Sequence, residues 1–211
     1  MATTLAPYGL RPISLIGGQP FAGSTRLMKI NNAYASNIFY GQPVTINAAG
    51  YIAAETGTTT IAATGVVGVF VGCTYTDPNL NIPVWKQYWP ASTSATDAYA
   101  YVVDDPDVVM QIQADGAVAQ SALGDNIALG TAGGSTITGN ANTVATQSSI
   151  ATTATLPLRI VGFSTSPEDS VGDTYTNILV KWNMPTSVSS NASNATVTMT
   201  YGHAYMNPVG A

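Results

Sequence analysis

Catalysis and metal binding draw on a short set of side chains, and this sequence holds few of them. There is one histidine, His203, and one cysteine, Cys73, in 211 residues. A Ser-His-Asp or Cys-His relay would have to run through His203. No Gly-x-Ser-x-Gly elbow surrounds any serine. A zinc site made from Cys and His would find only Cys73 and His203, too few ligands for a closed site. Asp104, Asp105 and Asp107 form the one local run of carboxylates. Their oxygens suit Ca²⁺, but the Asp-x-Asp-x-Asp-Gly spacing is missing and Pro106 marks a turn, so a solvated turn is expected. A glycosidase needs two carboxylates across a sugar cleft, and no pair stands out among the eleven acidic residues. Gly17-Gly18 and Gly133-Gly134 lack the Gly-Lys-Ser/Thr that completes a phosphate loop. The expectation is a protein that is not an enzyme, with no cofactor and no metal. Cys73 then reads as a small buried apolar residue, and His203 as a hydrogen-bonded strand residue between Tyr201 and Tyr205.

The surface chemistry points the same way. Only 8% of the residues are charged, and the formal net charge is −5, where soluble domains carry about 25% charged residues. A surface of Thr, Ser, Asn, Gln, Gly and Ala loses little when another protein covers it, because few charges must be stripped of water. The six basic residues, Arg11, Arg26, Lys29, Lys86, Arg159 and Lys181, are scattered. Nucleic-acid binding needs clustered cations that release counterions, so no nucleic-acid partner is expected. No polybasic patch or long apolar run suggests a membrane partner. The N-terminus shows no cationic start before an apolar core, so synthesis in the cytoplasm is expected. Asn191-Ala-Ser193 and Asn194-Ala-Thr196 match the glycosylation pattern and read as polar loop composition.

The elements that carry these residues read as strands. Val, Ile and Thr are plentiful, and short apolar runs recur between Gly, Pro, Asn and Asp, the pattern of an all-β barrel or sandwich. Expected strands are Arg26 to Ile30, Pro43 to Ile46 with a hairpin partner at 51–54, Val66 to Thr74, Ile82 to Trp89 and Ala98 to Val103. Further strands are expected at Val108 to Gln113, Gly124 to Leu129, Leu158 to Phe163, Asn177 to Trp182, and from Thr196 on. Asp115-Gly116 reads as a hairpin turn, residues 130–155 as a long loop or wandering hairpin, and Ser187 to Ala195 as a loop. Residues 1–24 hold too many Pro and Gly for a regular element, yet Leu5, Tyr8, Leu10, Ile13, Leu15, Ile16 and Phe21 are apolar. They read as an extended arm whose apolar side chains need a surface, either on another molecule or on the chain's own domain. The domain proper is then 25–211.

An internal repeat divides that domain into 25–97 and 98–211. Gly41-Gln42-Pro43-Val44-Thr45-Ile46 parallels Gly124-Asp125-Asn126-Ile127-Ala128-Leu129. Val67-Gly68-Val69-Phe70 parallels Val161-Gly162-Phe163, and Asn81-Ile82-Pro83-Val84 parallels Asn177-Ile178-Leu179-Val180. Such parallels imply two related β units that pack together.

Three stretches also carry a resemblance. The opening Ala6-Pro7-Tyr8-Gly9-Leu10-Arg11-Pro12 with Gly17-Gly18-Gln19-Pro20, the middle Tyr101-Val102-Val103-Asp104-Asp105-Pro106-Asp107 with Gln111-Ile112-Gln113-Ala114-Asp115-Gly116, and the later Leu156-Pro157-Leu158-Arg159-Ile160-Val161-Gly162 resemble capsid decoration, or cement, proteins of podovirus-like and cyanophage-like bacteriophages. The Gly-x-Pro-Val and Gly-Val-x-Gly runs are loosely similar to the β-rich core of lambda-type decoration proteins. The resemblance implies a homotrimer on the outer capsid surface of the virion, made in the host bacterial cytoplasm, with the major capsid protein as partner. It carries over no catalytic residue.

The mechanism that follows is mechanical: a trimer bridging shell subunits adds buried area at each junction, and multivalent contact slows its release. Within the arm, Leu5, Tyr8, Arg11, Ile13 and Ile16 are the expected capsid-docking residues, packing on the shell or adding a strand to a sheet edge. Trp85, Tyr88 and Trp89 are expected in the core or an interface. With Tyr99 and Tyr101 they form, alternatively, a platform for sugar rings in a carbohydrate-binding or host-adhesion module. A head-fibre base or tail component is a third reading.

Overall fold

The computed structural model describes residues 4–55, 66–130, 133–153 and 156–183, and the backbone of 186–189 and 196–199. The chain is all-β. Its strands are β1 (Arg11–Leu15), β2 (Arg26–Lys29), β3 (Pro43–Ile46), β4 (Ile52–Ala54), β5 (Val66–Thr76), β6 (Pro83–Lys86), β7 (Tyr99–Val103), β8 (Val108–Gln113), β9 (Asn126–Gly130), β10 (Val144–Ala151), β11 (Leu158–Phe163), β12 (Asn177–Trp182), β13 (Thr186–Ser189) and β14 (Thr196–Met199). One six-stranded antiparallel sheet runs β2-β7-β5-β3-β4, with β6 also paired to β5; a second runs β1-β8-β12-β11-β9-β10. β13 and β14 pair with each other. The first sheet curls until its end strands meet at a single parallel bridge, Ile30 to Ile52; in the second a matching bridge, Ala114 to Ala145, brings the end of β8 to β10 and leaves β1 on the outer edge of β8.

The two sheets repeat one plan. The order β2-β7-β5-β3-β4 matches β8-β12-β11-β9-β10 strand for strand, and the match extends to register. Phe70 pairs with Val102 and Gly72 with Tyr101, with Val71 bulged out between them. Likewise Ile160 pairs with Val180 and Gly162 with Leu179, with Val161 bulged out. Pro43 and Val44 face Val69 and Gly68, as Asn126 and Ile127 face Arg159 and Leu158. Met28 and Lys29 face Ala100 and Tyr99, as Ile112 and Gln113 face Ile178 and Asn177. Single hydrogen bonds repeat too. Gly41 N–H donates to the Phe70 carbonyl (2.8 Å) and Gly124 N–H to the Ile160 carbonyl (3.0 Å). Agreement in order, register and bulge position is what duplication of one β unit produces.

The structure revises the sequence reading of that repeat in two places. Gly41–Ile46 and Gly124–Leu129 correspond residue for residue. Gly162, however, matches Gly72 at the bulge and not Gly68. Asn177 to Val180 matches Tyr99 to Val102, whereas Asn81 to Val84 belongs to the β5–β6 hairpin and has no counterpart in the second sheet. The sheets change over at Asp104 to Asp107, so residues 98–103 pair within the first unit.

Two apolar clusters hold the sheets. One lies inside the curl of the first sheet and gathers Ile30, Ile38, Val44, Ile52, Phe70, Tyr75, Trp89 and Val102. The other fills the second sheet with Met110, Ile112, Ile127, Ile160, Ile178 and Val180, and takes Val66, Val69 and Val103 from the first. Two bulges in β5 explain this: Val67 and Val71 are skipped in the pairing, and each skip moves the alternation on by one residue, so Phe70 and Cys73 point into the first cluster and Val66 and Val69 into the second. Cys73 is fully buried, as its apolar reading requires, and burial pushes its thiol up to about 12.

Other expectations shift. Of the two readings of residues 130–155 the hairpin is the one found, with β10 returning antiparallel on β9, although its sequence VATQSSIA is too polar to announce a strand. Asp115-Gly116 does not close a hairpin: β8 pairs with β1 and β12, and Asp115 instead donates its N–H to the Ala145 carbonyl at 3.0 Å. β13 occupies 186–189, overlapping the start of the Ser187 to Ala195 stretch read as a loop. Within 1–24, Arg11–Leu15 is an edge strand on β8, with an irregularity between Pro12 and Ser14. His203, Asn191 and Asn194 lie outside the described residues.

Candidate interaction surface

The N-terminal segment lies along the second unit. Leu10 is fully buried in the shared cluster and donates its N–H to the Gly41 carbonyl at 2.8 Å. The Tyr8 hydroxyl donates to Asn177 Oδ1 at 2.8 Å; burial, with the Asp169 carboxylate nearby, raises its pKa well above the usual phenol value. Ala6 N–H donates to Gln113 Oε1 (2.8 Å), and Gln113 Nε2 donates back to the Thr4 carbonyl (3.2 Å). Gln113 and Asn177 are facing residues on β8 and β12, so Thr4 to Tyr8 covers the outward face of those strands. Of the proposed arm residues, Leu5 (44% exposed), Arg11 and Ile16 (52%) remain on the surface, while Tyr8 and Ile13 are half-buried.

The three aromatics from the region 85–89 separate. Trp89 is fully buried, edge-on to Tyr75 at 5.2 Å, and its indole N–H meets no acceptor. Tyr88 is half-buried and stacks on Phe39 at 5.7 Å. Trp85 points outward from β6 and is 61% exposed. Its ring lies over Gly72, where a Cβ would come within 2.8 Å of the indole and the backbone holds φ +145. Thr74 on β5 faces Trp85 on one side and Tyr99 on the other, and Gly72 faces Tyr101. Next along the sheet, Tyr99 faces Lys29 and Tyr101 faces Leu27. Trp85, Tyr99, Tyr101, Leu27 and Lys29 therefore share one outward face of the first unit. Sequence spacing listed Tyr99 and Tyr101 among the aromatics but gave no sign of Leu27 or Lys29; only the pairing brings them together.

On the other side of the β5–β6 hairpin a shallow cleft of about 490 Å³ is lined by Tyr75, Asp77, Lys86, Pro90, Ser92 and Ser94, among others. The Lys86 ammonium sits 5.6 Å from the Tyr75 ring centroid, and its hydrogen bond to Tyr75 raises its pKa. The acidic run is divided between two ion pairs: Arg26 Nε to Asp104 at 2.9 Å and Lys181 Nζ to Asp107 at 2.8 Å. Asp105 accepts the Asp107 N–H at 2.8 Å. Exposed pairs of this kind add about 0–1 kcal/mol each; here they tie the changeover segment to one strand of each unit. Among the described residues no group of three or more His, Cys, Asp or Glu could hold a metal ion, and no helix is long and apolar enough to cross a membrane.

No protein-family model, curated protein or solved structure matches this chain.

Proposed function

We propose that the chain is a structural virion protein: a decoration, or cement, subunit that binds the major capsid protein on the outer surface of an expanded bacteriophage head, as a homotrimer. The observation that carries the reading is the placement of exposed apolar side chains on a surface with few charges. Leu5 and Ile16 stand out beside the second unit, and Leu27, Trp85 and Tyr99 beside the first. Covering them removes apolar area from water at about 25 cal/mol per Å² and strips few ions. Two curled sheets joined through a shared cluster make a stiff body suited to bridging neighbouring shell subunits.

The test is co-sedimentation of the purified chain with expanded, emptied heads that lack it. Saturable binding in multiples of three is expected, with Leu5→Asp plus Ile16→Asp weakening it at least tenfold and leaving circular dichroism unchanged. These point changes are preferable to deleting residues 1–20, which removes the buried Leu10 and β1. A chain that stays monomeric and ignores the heads defeats the reading.

A further inference from the structure

The duplicated plan leaves one face covered and its counterpart bare. In the second unit, Gln113, Asn177, Gln111 and Leu179 occupy the outward positions that Lys29, Tyr99, Leu27 and Tyr101 occupy in the first. Gln113 is 5% exposed beneath Thr4 to Tyr8, whereas the matching Lys29 is exposed, as is Tyr99 at 39%. In the second unit the cover is extended backbone, read by the Gln113 amide, which donates to one peptide group and accepts from another.

We infer that the outward face of the first unit receives an extended segment of a partner polypeptide, laid across Leu27, Tyr99, Tyr101 and Trp85 as Thr4 to Tyr8 is laid across the second unit. The substituted residues define what that segment carries. Lys29 only donates, so the segment must present an acceptor where Gln113 meets an N–H, and a carboxylate satisfies it best. The aromatic row in place of Asn177 and Leu179 takes aliphatic or proline side chains, which lose little entropy in an extended chain. A second copy of this protein fits poorly, because its own Thr4 to Leu10 is already fixed by Gln113, Asn177 and the buried Leu10. The identity of the partner rests on the proposed capsid role: the segment is then an extended, acidic arm of the shell protein.

Two synthetic peptides test this, one with the sequence of residues 4–15 and one carrying Ala6→Glu at the position whose N–H meets Gln113, titrated into the full chain. The acidic peptide is expected to bind at least tenfold tighter than the parent. Trp85→Ala and Lys29→Glu should each weaken it about tenfold, and Gln113→Ala should leave it unchanged, all with unaltered circular dichroism. Equal binding by the two peptides, or binding indifferent to Trp85 and Lys29, overturns the inference. So does a concentration-dependent dimer that Trp85→Ala abolishes, which puts a second copy on the face, or Trp85-dependent binding of a bacterial surface polysaccharide, which puts a glycan there. Emptied heads separate this result from the capsid reading. Peptide binding without head binding keeps the face and loses the capsid; head binding that Trp85→Ala and Lys29→Glu leave intact does the reverse.

Discussion

Where the first unit closes on itself, Ile30 meets Ile52; at the matched point of the second, Ala114 meets Ala145. The exchange of bulk runs through both interiors. Phe70 stands where the second unit has Ile160, Ala100 where it has Ile178, and Gly68 where it has the buried Leu158. The first unit fills its curl with rings, Phe70, Tyr75 and Trp89. The second fills its own mainly with aliphatic side chains, with Trp182 its one buried ring among the described residues. The strand order and the bulge at Val71 and Val161 are held constant while volumes are traded between positions. A plan of this kind resides in the backbone, and side chains need only sum to the space it leaves.

The largest test of that contrast removes bulk where the units differ. Phe70→Ala should cost about 3–5 kcal/mol and Ile160→Ala about 2–5 kcal/mol in urea unfolding. Because the second cluster draws on both sheets, each variant should lower one common transition. Two separate transitions would show the units to be independent. Next, Gly68→Leu copies the second unit's residue into the first. A Cβ there would lie 2.2 Å from the Val103 carbonyl oxygen, so overpacking should cost about 3 kcal/mol. A neutral outcome would mean that the two positions are interchangeable. Gln113→Ala is expected to cost about 1–2 kcal/mol through two lost hydrogen bonds and to speed amide exchange at residues 4–8. Unchanged exchange would show the covered face to be held by something else.

The smallest effect at neutral pH concerns Cys73, which the first unit buries where the second has the half-buried Phe163. Its folded pKa of about 12 lies above the ordinary 9.0, so the folded chain keeps a proton that the unfolded chain releases. The corresponding stability is full below pH 9 and falls as pH rises toward 12. Tyr8 shifts in the same direction and adds to the decline. A melting temperature dropping between pH 8 and 10.5, with the native thiol unreactive to iodoacetamide at pH 8, checks it.

Strands with long apolar runs were readable from sequence because both faces or one whole face are buried: β5, β8, β11 and β12 fell where Val and Ile spacing put them. β10 was hidden by its polar residues, and β1 by Pro12, since an edge strand tolerates a missing donor that a central strand does not. The repeat was visible at Gly41 and Gly124 and slipped at β6, because an inserted strand shifts any alignment made along the chain. Trp85, Tyr88 and Trp89 lie within five residues, yet one is exposed, one is half-buried against Phe39 and one is core. Only pairing decides which way each faces. Of the bare face, Trp85, Tyr99 and Tyr101 were legible as an aromatic platform, but Leu27 and Lys29 were not, because they come from a strand distant in sequence.

The antiparallel union of β1 with β8 also sets a timetable. Ala6 and the Gln113 side chain that holds it are 107 residues apart. At a synthesis rate of about 5–20 residues per second, the first strand waits roughly 5–20 s after leaving the ribosome before its partner exists. The first unit can assemble during that wait; the second cannot finish until β12, which ends at Trp182, has been made. Late joining of distant segments is slow and leaves an unpaired edge exposed to neighbours. The moment of greatest danger for this molecule therefore falls before β1 has found its place.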